Sequence, residues 1–162
     1  MANFLSTELT NEAANIPTLN PVHKSTKLHF KYFSYNQGAS AGAANDTIEF
    51  VKLPAGDVRI FKHLSAVNCS AFGASRVLDI GFRAHVKYTD NSAVAESVDT
   101  ILDGADISAI ASRGGGAGTN ALTVSPSILL QAKAPVTIFG TVTGGTIPAS
   151  ATLEGYIVYA QN

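Results

Sequence analysis

Between Arg76 and Tyr88 the sequence alternates: Leu78, Ile80, Phe82, Ala84, Val86 and Tyr88 fall on one face of an extended chain, and Asp79, Arg83, His85 and Lys87 on the other. Successive side chains of a strand point to opposite sides, so this period of two describes a half-buried β-strand; a helix would smear the same residues around its axis. Val77 and Gly81 are the exceptions. The run is long for one strand, which predicts either a strand spanning the whole molecule or a bulge marked by Gly81.

The same signal recurs near residues 28–35, 46–53, 57–67, 93–102, 121–131, 135–143 and 151–160, giving about eight strands in all. Turn chemistry separates them. Leu53-Pro54-Ala55-Gly56 places Pro and Gly in the second and fourth positions of a type I turn, residues 38–45 form a small-residue loop, and Gly144-Gly145 supplies another turn. Pro135 and Pro148 fall at strand beginnings or in loops, where a missing amide donor does no harm. In residues 94–111, Val94, Val98, Ile101 and Leu102 also fit one face of a helix; the stretch is read as strand plus turn. No internal repeat points to a propeller or solenoid. Strands at this spacing, without a helix long enough to cover a sheet, predict an all-β domain over residues 27–162, a jelly-roll-like antiparallel β-sandwich. A closed barrel shares the pattern.

Residues 1–26 read differently, as an extended N-terminal arm. They are rich in Asn, Thr, Ser and Pro, and Phe4, Leu5, Leu9, Ile16 and Leu19 keep no sustained period. Ser6 or Thr7 can cap a short helical turn, but Pro17 and Pro21 stop anything longer. Apolar side chains without a face of their own need another home, which makes these five the candidate contacts with neighbouring subunits or another protein.

Charged residues are 14% of the chain, against roughly 25% in ordinary soluble domains. Eleven Lys and Arg face 12 Asp and Glu, for a net charge of −1, with no basic block to neutralise phosphates; nucleic acid and anionic membrane are therefore poor partners. A surface of small uncharged residues desolvates cheaply against another protein. Cys69 is the one cysteine, which excludes an intrachain disulfide and a cysteine-based zinc site. Met1 is followed by Ala2, Asn3 and Phe4, not by a basic segment and an apolar run, and no stretch is long and apolar enough for a membrane helix. A cytosolic product is the expectation.

No motif brings chemistry with it. Gly38-Ala39-Ser40-Ala41-Gly42 matches a nucleophile elbow, with Asp57 or Asp79 and His63 or His85 following in hydrolase order, but the elbow requires a helix after the serine and residues 43–50 lead into a strand. Arg113–Asn120 is glycine-rich yet lacks the Lys-Ser/Thr pair of a phosphate loop, and reads as a surface loop. Asp99, Asp103 and Asp106 match no calcium-loop spacing, and are read as solvated turn residues. His23, His29, His63 and His85 are dispersed, His85 is expected to face solvent, and Cys69 is expected to pack as a small hydrophobe. The expectation is a non-enzymatic chain with no cofactor.

Leu53-Pro54-Ala55-Gly56-Asp57-Val58-Arg59-Ile60, then residues 71–82 with Gly73-Ala74-Ser75 and Leu78-Asp79-Ile80-Gly81, then Leu102-Asp103-Gly104-Ala105-Asp106-Ile107, resemble small virion proteins of tailed bacteriophages, in which such turns and strands recur in this order. The opening Met1–Thr10 is similar to their amino-terminal arms. The resemblance implies a capsid decoration (cement) protein of the virion surface, made in the host bacterial cytoplasm, that bridges major capsid protein subunits and self-associates as a homotrimer. The competing reading is a head or tail fibre domain that binds host-surface glycans; against it, Trp is absent and Tyr and Phe lie mainly in strand patterns.

Overall fold

The computed structural model describes residues 27–114 and 127–161. The arm, with Phe4, Leu5, Leu9, Ile16 and Leu19, lies outside them, as do most of the glycine-rich run and the first residues of the strand expected at 121–131. The described residues form twelve strands, one 3-10 turn (Lys62–Leu64) and no α-helix. They are β1 (Leu28–Asn36), β2 (Thr47–Leu53), β3 (Gly56–Phe61), β4 (Ala66–Cys69), β5 (Val77–Phe82), β6 (His85–Val86), β7 (Ala93–Val94), β8 (Ser97–Asp106), β9 (Ala111–Gly114), β10 (Ser127–Ala132), β11 (Val136–Thr143) and β12 (Thr152–Gln161).

Two sheets hold the core. In the first, β12 is the spine: β1 pairs along one side of it, while β3 and β4 pair with different halves of the other side. The 3-10 turn separates β3 from β4, so the two act as one interrupted strand, and β10 and β9 pair with them in turn. The second sheet runs β2-β11-β5-β8. Counting each interrupted strand once gives two antiparallel sheets of four positions each, the jelly-roll arrangement expected from the alternation. β6 and β7 form a small separate hairpin.

Three departures from the expected elements stand out, and two of them come from extra residues inserted into a ladder. The strand expected at 57–67 is broken because Ser65 Oγ replaces a backbone partner: it accepts from the Val158 N–H at 3.0 Å and donates to Phe61 O, which lets residues 62–64 coil. The run 76–88 is not one strand; it ends at Phe82, and beyond it Arg83, His85 and Lys87 are half-buried while Ala84, Val86 and Tyr88 are exposed, the reverse of the expected faces. Within residues 94–111 the strand is β8, followed by a bend, and its ladder with β5 shifts twice: Leu78 opposes Ala105 and Ile80 opposes Leu102, so Asp103 and Gly104 face the single Asp79, one residue more than the ladder needs, with Gly104 at φ 62°, and the second shift falls at Gly81, between Ile80 and Phe82. The expected Leu102–Ile107 turn is thus a kinked strand.

Side chains from both inner faces fill the space between the sheets. Val58, Ile60, Val67, Leu130, Leu153 and Ile157 of the first sheet meet Ile48, Leu53, Leu78, Ile80, Ile138 and Val142 of the second, all buried. Burying each such side chain is worth about 1.5–3 kcal/mol relative to exposure, before ordering costs. The sheets are also tied at one end by Lys62, 4% exposed, whose ammonium donates to Thr100 O at 3.1 Å.

Candidate functional site

β1 pairs with β12 over nine residues without a register break, and the pairing decides which side chains share a face. Phe33 and Tyr35 point inward with Leu153; Phe33 stacks on Phe50 of β2, ring centroids 4.3 Å apart. Leu28, Phe30 and Tyr32 therefore point outward, opposite Ala160, Val158 and Tyr156. Residues 28–32 are exposed on both faces, with Leu28 at 50%, Phe30 at 53% and Tyr32 at 74%. Tyr156 lies between two of these rings, its centroid 6.0 Å from Phe30 and 5.9 Å from Tyr32, each pair tilted by more than 50°. These are ordinary distances for aromatic pairs, so the rings form a cluster and not isolated exposures.

Toward the other end of β1 the same outer face turns polar. Ser34 opposes Glu154, which opposes Asn68, which opposes Ser112. A depression of about 420 Å³ sits at the boundary, lined by Tyr32, Tyr156, Ser34, Asn68 and Glu154 above Phe33 and Gly155. A second, of about 500 Å³, continues from Asn68 and Glu154 to Ile110 and Thr152. An aromatic wall beside a carboxylate, an amide and hydroxyls can stack on a flat apolar ligand face and hydrogen-bond its rim. Phe30, Tyr32 and Tyr156 lie in strands, as the alternation reads them, yet Phe30 and Tyr32 are exposed and Tyr156 is half-buried between them. The signal was present: β1 carries apolar residues at 28, 30 and 32 on one face and at 33 and 35 on the other, more than one buried face needs.

The residues weighed for chemistry do not converge. Ser40 lies in the loop between β1 and β2, where its carbonyl accepts from Gln37 Nε2 at 2.7 Å, and the strand expected after it is β2. Asp57 accepts from Gln131 Nε2, and Asp79 accepts the Gly104 N–H at 2.6 Å. His29 stacks on Tyr159 at 5.2 Å, and His63 meets the edge of Phe61. His85, expected in solvent, is half-buried with its ring edge-on to Phe82 at 5.5 Å, because the chain turns after β5. Cys69 is buried at the end of β4, packed as a small hydrophobe. Asp99, Asp103 and Asp106 belong to β8, and among the described residues no three His, Cys, Asp or Glu side chains group as a metal site would need.

Electrostatic shifts are local. Burial, then repulsion from Asp103 and Asp99, push the Asp79 carboxyl up against the opposing pull of the Gly104 N–H. Ser108 holds the Asp106 carboxyl below the usual range by donating hydrogen bonds to that carboxylate from its hydroxyl and amide, and Ser92 does the same for Asp90. Burial and the nearby Asp46 raise the Tyr35 phenol. No helix among the described residues is long and apolar enough to cross a membrane.

No protein-family model matches the chain, and no curated protein matches it. Among solved structures it is similar to that of infectious bursal disease virus, Gx strain, with a TM-score of 0.44 and 10% identity over 85% of this chain and 32% of that one. The corresponding Gt strain structure gives a TM-score of 0.36 and 11% identity over 84% and 32%. The chain thus spans about a third of the length of those proteins, and at these scores the likeness carries no argument.

Proposed function

We propose that this chain is a non-enzymatic structural protein of a phage virion, a capsid decoration (cement) protein. Its jelly roll sits on the head surface and bridges major capsid protein subunits. It associates with itself as a homotrimer, and the arm of residues 1–26 grips its neighbours through Phe4, Leu5, Leu9, Ile16 and Leu19. The observation that carries this reading is the apolar cluster on the outer face directly after the arm, where among the described residues Leu28, Phe30 and Tyr32 are exposed around a half-buried Tyr156. A patch of that kind on a weakly charged chain marks a contact surface. The resemblance of residues 53–107 to phage virion proteins supports the choice of partner. Jelly rolls serve both capsids and lectins, so the architecture alone favours neither role.

Deleting residues 2–20 tests it. Binding to capsids stripped of the protein is expected to be lost while the melting temperature of the free protein stays near that of the full chain. A truncated protein that melts far lower yet binds particles normally sinks the assignment. The depression between Tyr32 and Glu154 favours one second reading, a glycan-binding fibre domain. Saccharide binding that disappears in both Tyr32→Ala and Tyr156→Ala, from a protein absent from the head in electron micrographs, selects that reading instead.

A further inference from the structure

We propose that the free edge of β1 receives residues 3–11 of a second copy of this chain, which add as an antiparallel strand to the first sheet. The inference rests on the assembly role above and names its landing site. β1 gives one edge to β12 for its full length, and among the described residues no strand pairs with the other. Edge strands are normally blunted by bulges, prolines or clustered charge, because their open N–H and C=O groups template pairing with other chains. β1 has no bulge and no proline, and within Leu28–Tyr32 its charge is Lys31 alone. An open, regular, apolar edge fits strand addition, where main-chain bonds supply affinity and alternate side chains supply specificity.

The arm has the composition to fill that edge. Residues 1–22 carry Glu8 and Glu12 and no Lys or Arg, whereas Lys27 precedes the exposed half of β1 and Lys31 lies within it. Setting Glu8 opposite Lys31 in an antiparallel register places Thr7 opposite Tyr32, Leu9 opposite Phe30 and Asn11 opposite Leu28. Leu5, Thr7 and Leu9 then extend the outer apolar face, and the ion pair falls on the other side. Nine arm residues match the nine of β1, a span of about 30 Å. Between that strand and Lys27 lie Pro17 and Pro21, and proline disfavours helix at itself and at the residue before it, which suits an arm that reaches a second copy. A copy that gives its arm to the next makes a head-to-tail contact, the kind that a threefold rotation closes into a trimeric ring.

Paired cysteines test the proposal on the full chain. In a Cys69→Ala background, one chain carries Thr7→Cys and a second, longer by an affinity tag, carries Tyr32→Cys. After co-expression and mild oxidation, the expected result is a predominant mixed covalent dimer, with Thr10→Cys giving little because it faces the other way. No crosslink for Thr7→Cys, or equal crosslinking of both positions, overturns the proposal. So does a chain carrying both Thr7→Cys and Tyr32→Cys that closes on itself as a covalent monomer. Capsid binding by the protein lacking residues 2–20 is read in parallel. Binding lost without any crosslink sinks strand exchange and leaves the assembly role standing, while binding retained without the arm sinks the assembly role.

Discussion

Replacing Gly81 by alanine would place a methyl carbon 1.8 Å from the Ser97 carbonyl oxygen and 2.7 Å from the Val98 carbonyl carbon. Both atoms are backbone, so no side chain can swing aside, and β8 must retreat by more than an ångström. That movement breaks the Phe82–Ser97 pairing at the register shift and loosens Ile101 and Leu102, which are 2% and 1% exposed. Overpacking of this kind costs about 1–3 kcal/mol, and each lost ladder hydrogen bond adds about 1 kcal/mol, so the expected destabilisation is about 3–4 kcal/mol. At this chain length that lowers Tm by roughly 6–15 °C. Thermal unfolding followed by circular dichroism reads it, with Gly38→Ala as control: nothing lies within 4 Å of a Cβ built there, and a gain of up to about 1 kcal/mol is expected from the stiffer unfolded chain. A Gly81→Ala protein within about 1 kcal/mol of its parent would refute the close approach of β5 and β8.

Arg83 bonds Glu96 at 3.0 Å and Thr47 Oγ1 at 3.0 Å while its guanidinium covers the buried Phe139 ring at 3.9 Å. Arg83→Ala is expected to cost about 1–2 kcal/mol in urea titrations, mostly through lost cover of the ring; Arg83→Lys should fail to restore it, and full rescue by lysine refutes the stacking argument. Lys62→Ala removes both an alkyl stem from the core and the tie to Thr100, for a loss of about 2 kcal/mol in the same assay; an unchanged midpoint shows that the tie is idle. Asp79, with its carboxyl raised, binds a proton more tightly folded than unfolded, so its contribution declines as pH rises from the ordinary carboxylate value through the raised one. Asp79→Asn keeps an acceptor for Gly104 and should flatten that decline in denaturation midpoints taken across the acid range; identical slopes in variant and parent contradict it.

The strands with clean alternation and strong flanking turns, β1, β2, β11 and β12, lie within a residue or so of their expected bounds. Local periodicity failed where the ladder took in extra residues. A bulge lets neighbours such as Ile101 and Leu102 both face the core, which in sequence imitates a helical stripe. It failed again at Lys62-His63-Leu64, which reads as polar and apolar alternation although a serine side chain from the next position breaks the strand. The outer aromatic cluster was legible as strand but not as surface. Alternation says that two faces exist, and when both are apolar only the position of β1 at a sheet edge decides which one meets solvent.

The position of β12 governs when this molecule can close. Translation completes β2, β5, β8 and β11 by Thr143, so a nascent chain paused there already owns every strand of the second sheet. β1, β3 and β4 have also emerged, yet each waits for the same neighbour, and His29 must wait for Tyr159. Until Thr152–Gln161 arrive, the first sheet is split into an unpaired β1 and the separate pairs β3–β10 and β4–β9, and the inner faces of Ile48, Leu78 and Ile138 lack Leu153 and Ile157 from their second layer. Pairings this distant in sequence form slowly, and a chain with so little charge has little repulsion to keep copies apart meanwhile. The hazard on the ribosome and the capacity to assemble afterwards thus come from the same strand edges, separated by the synthesis of β12.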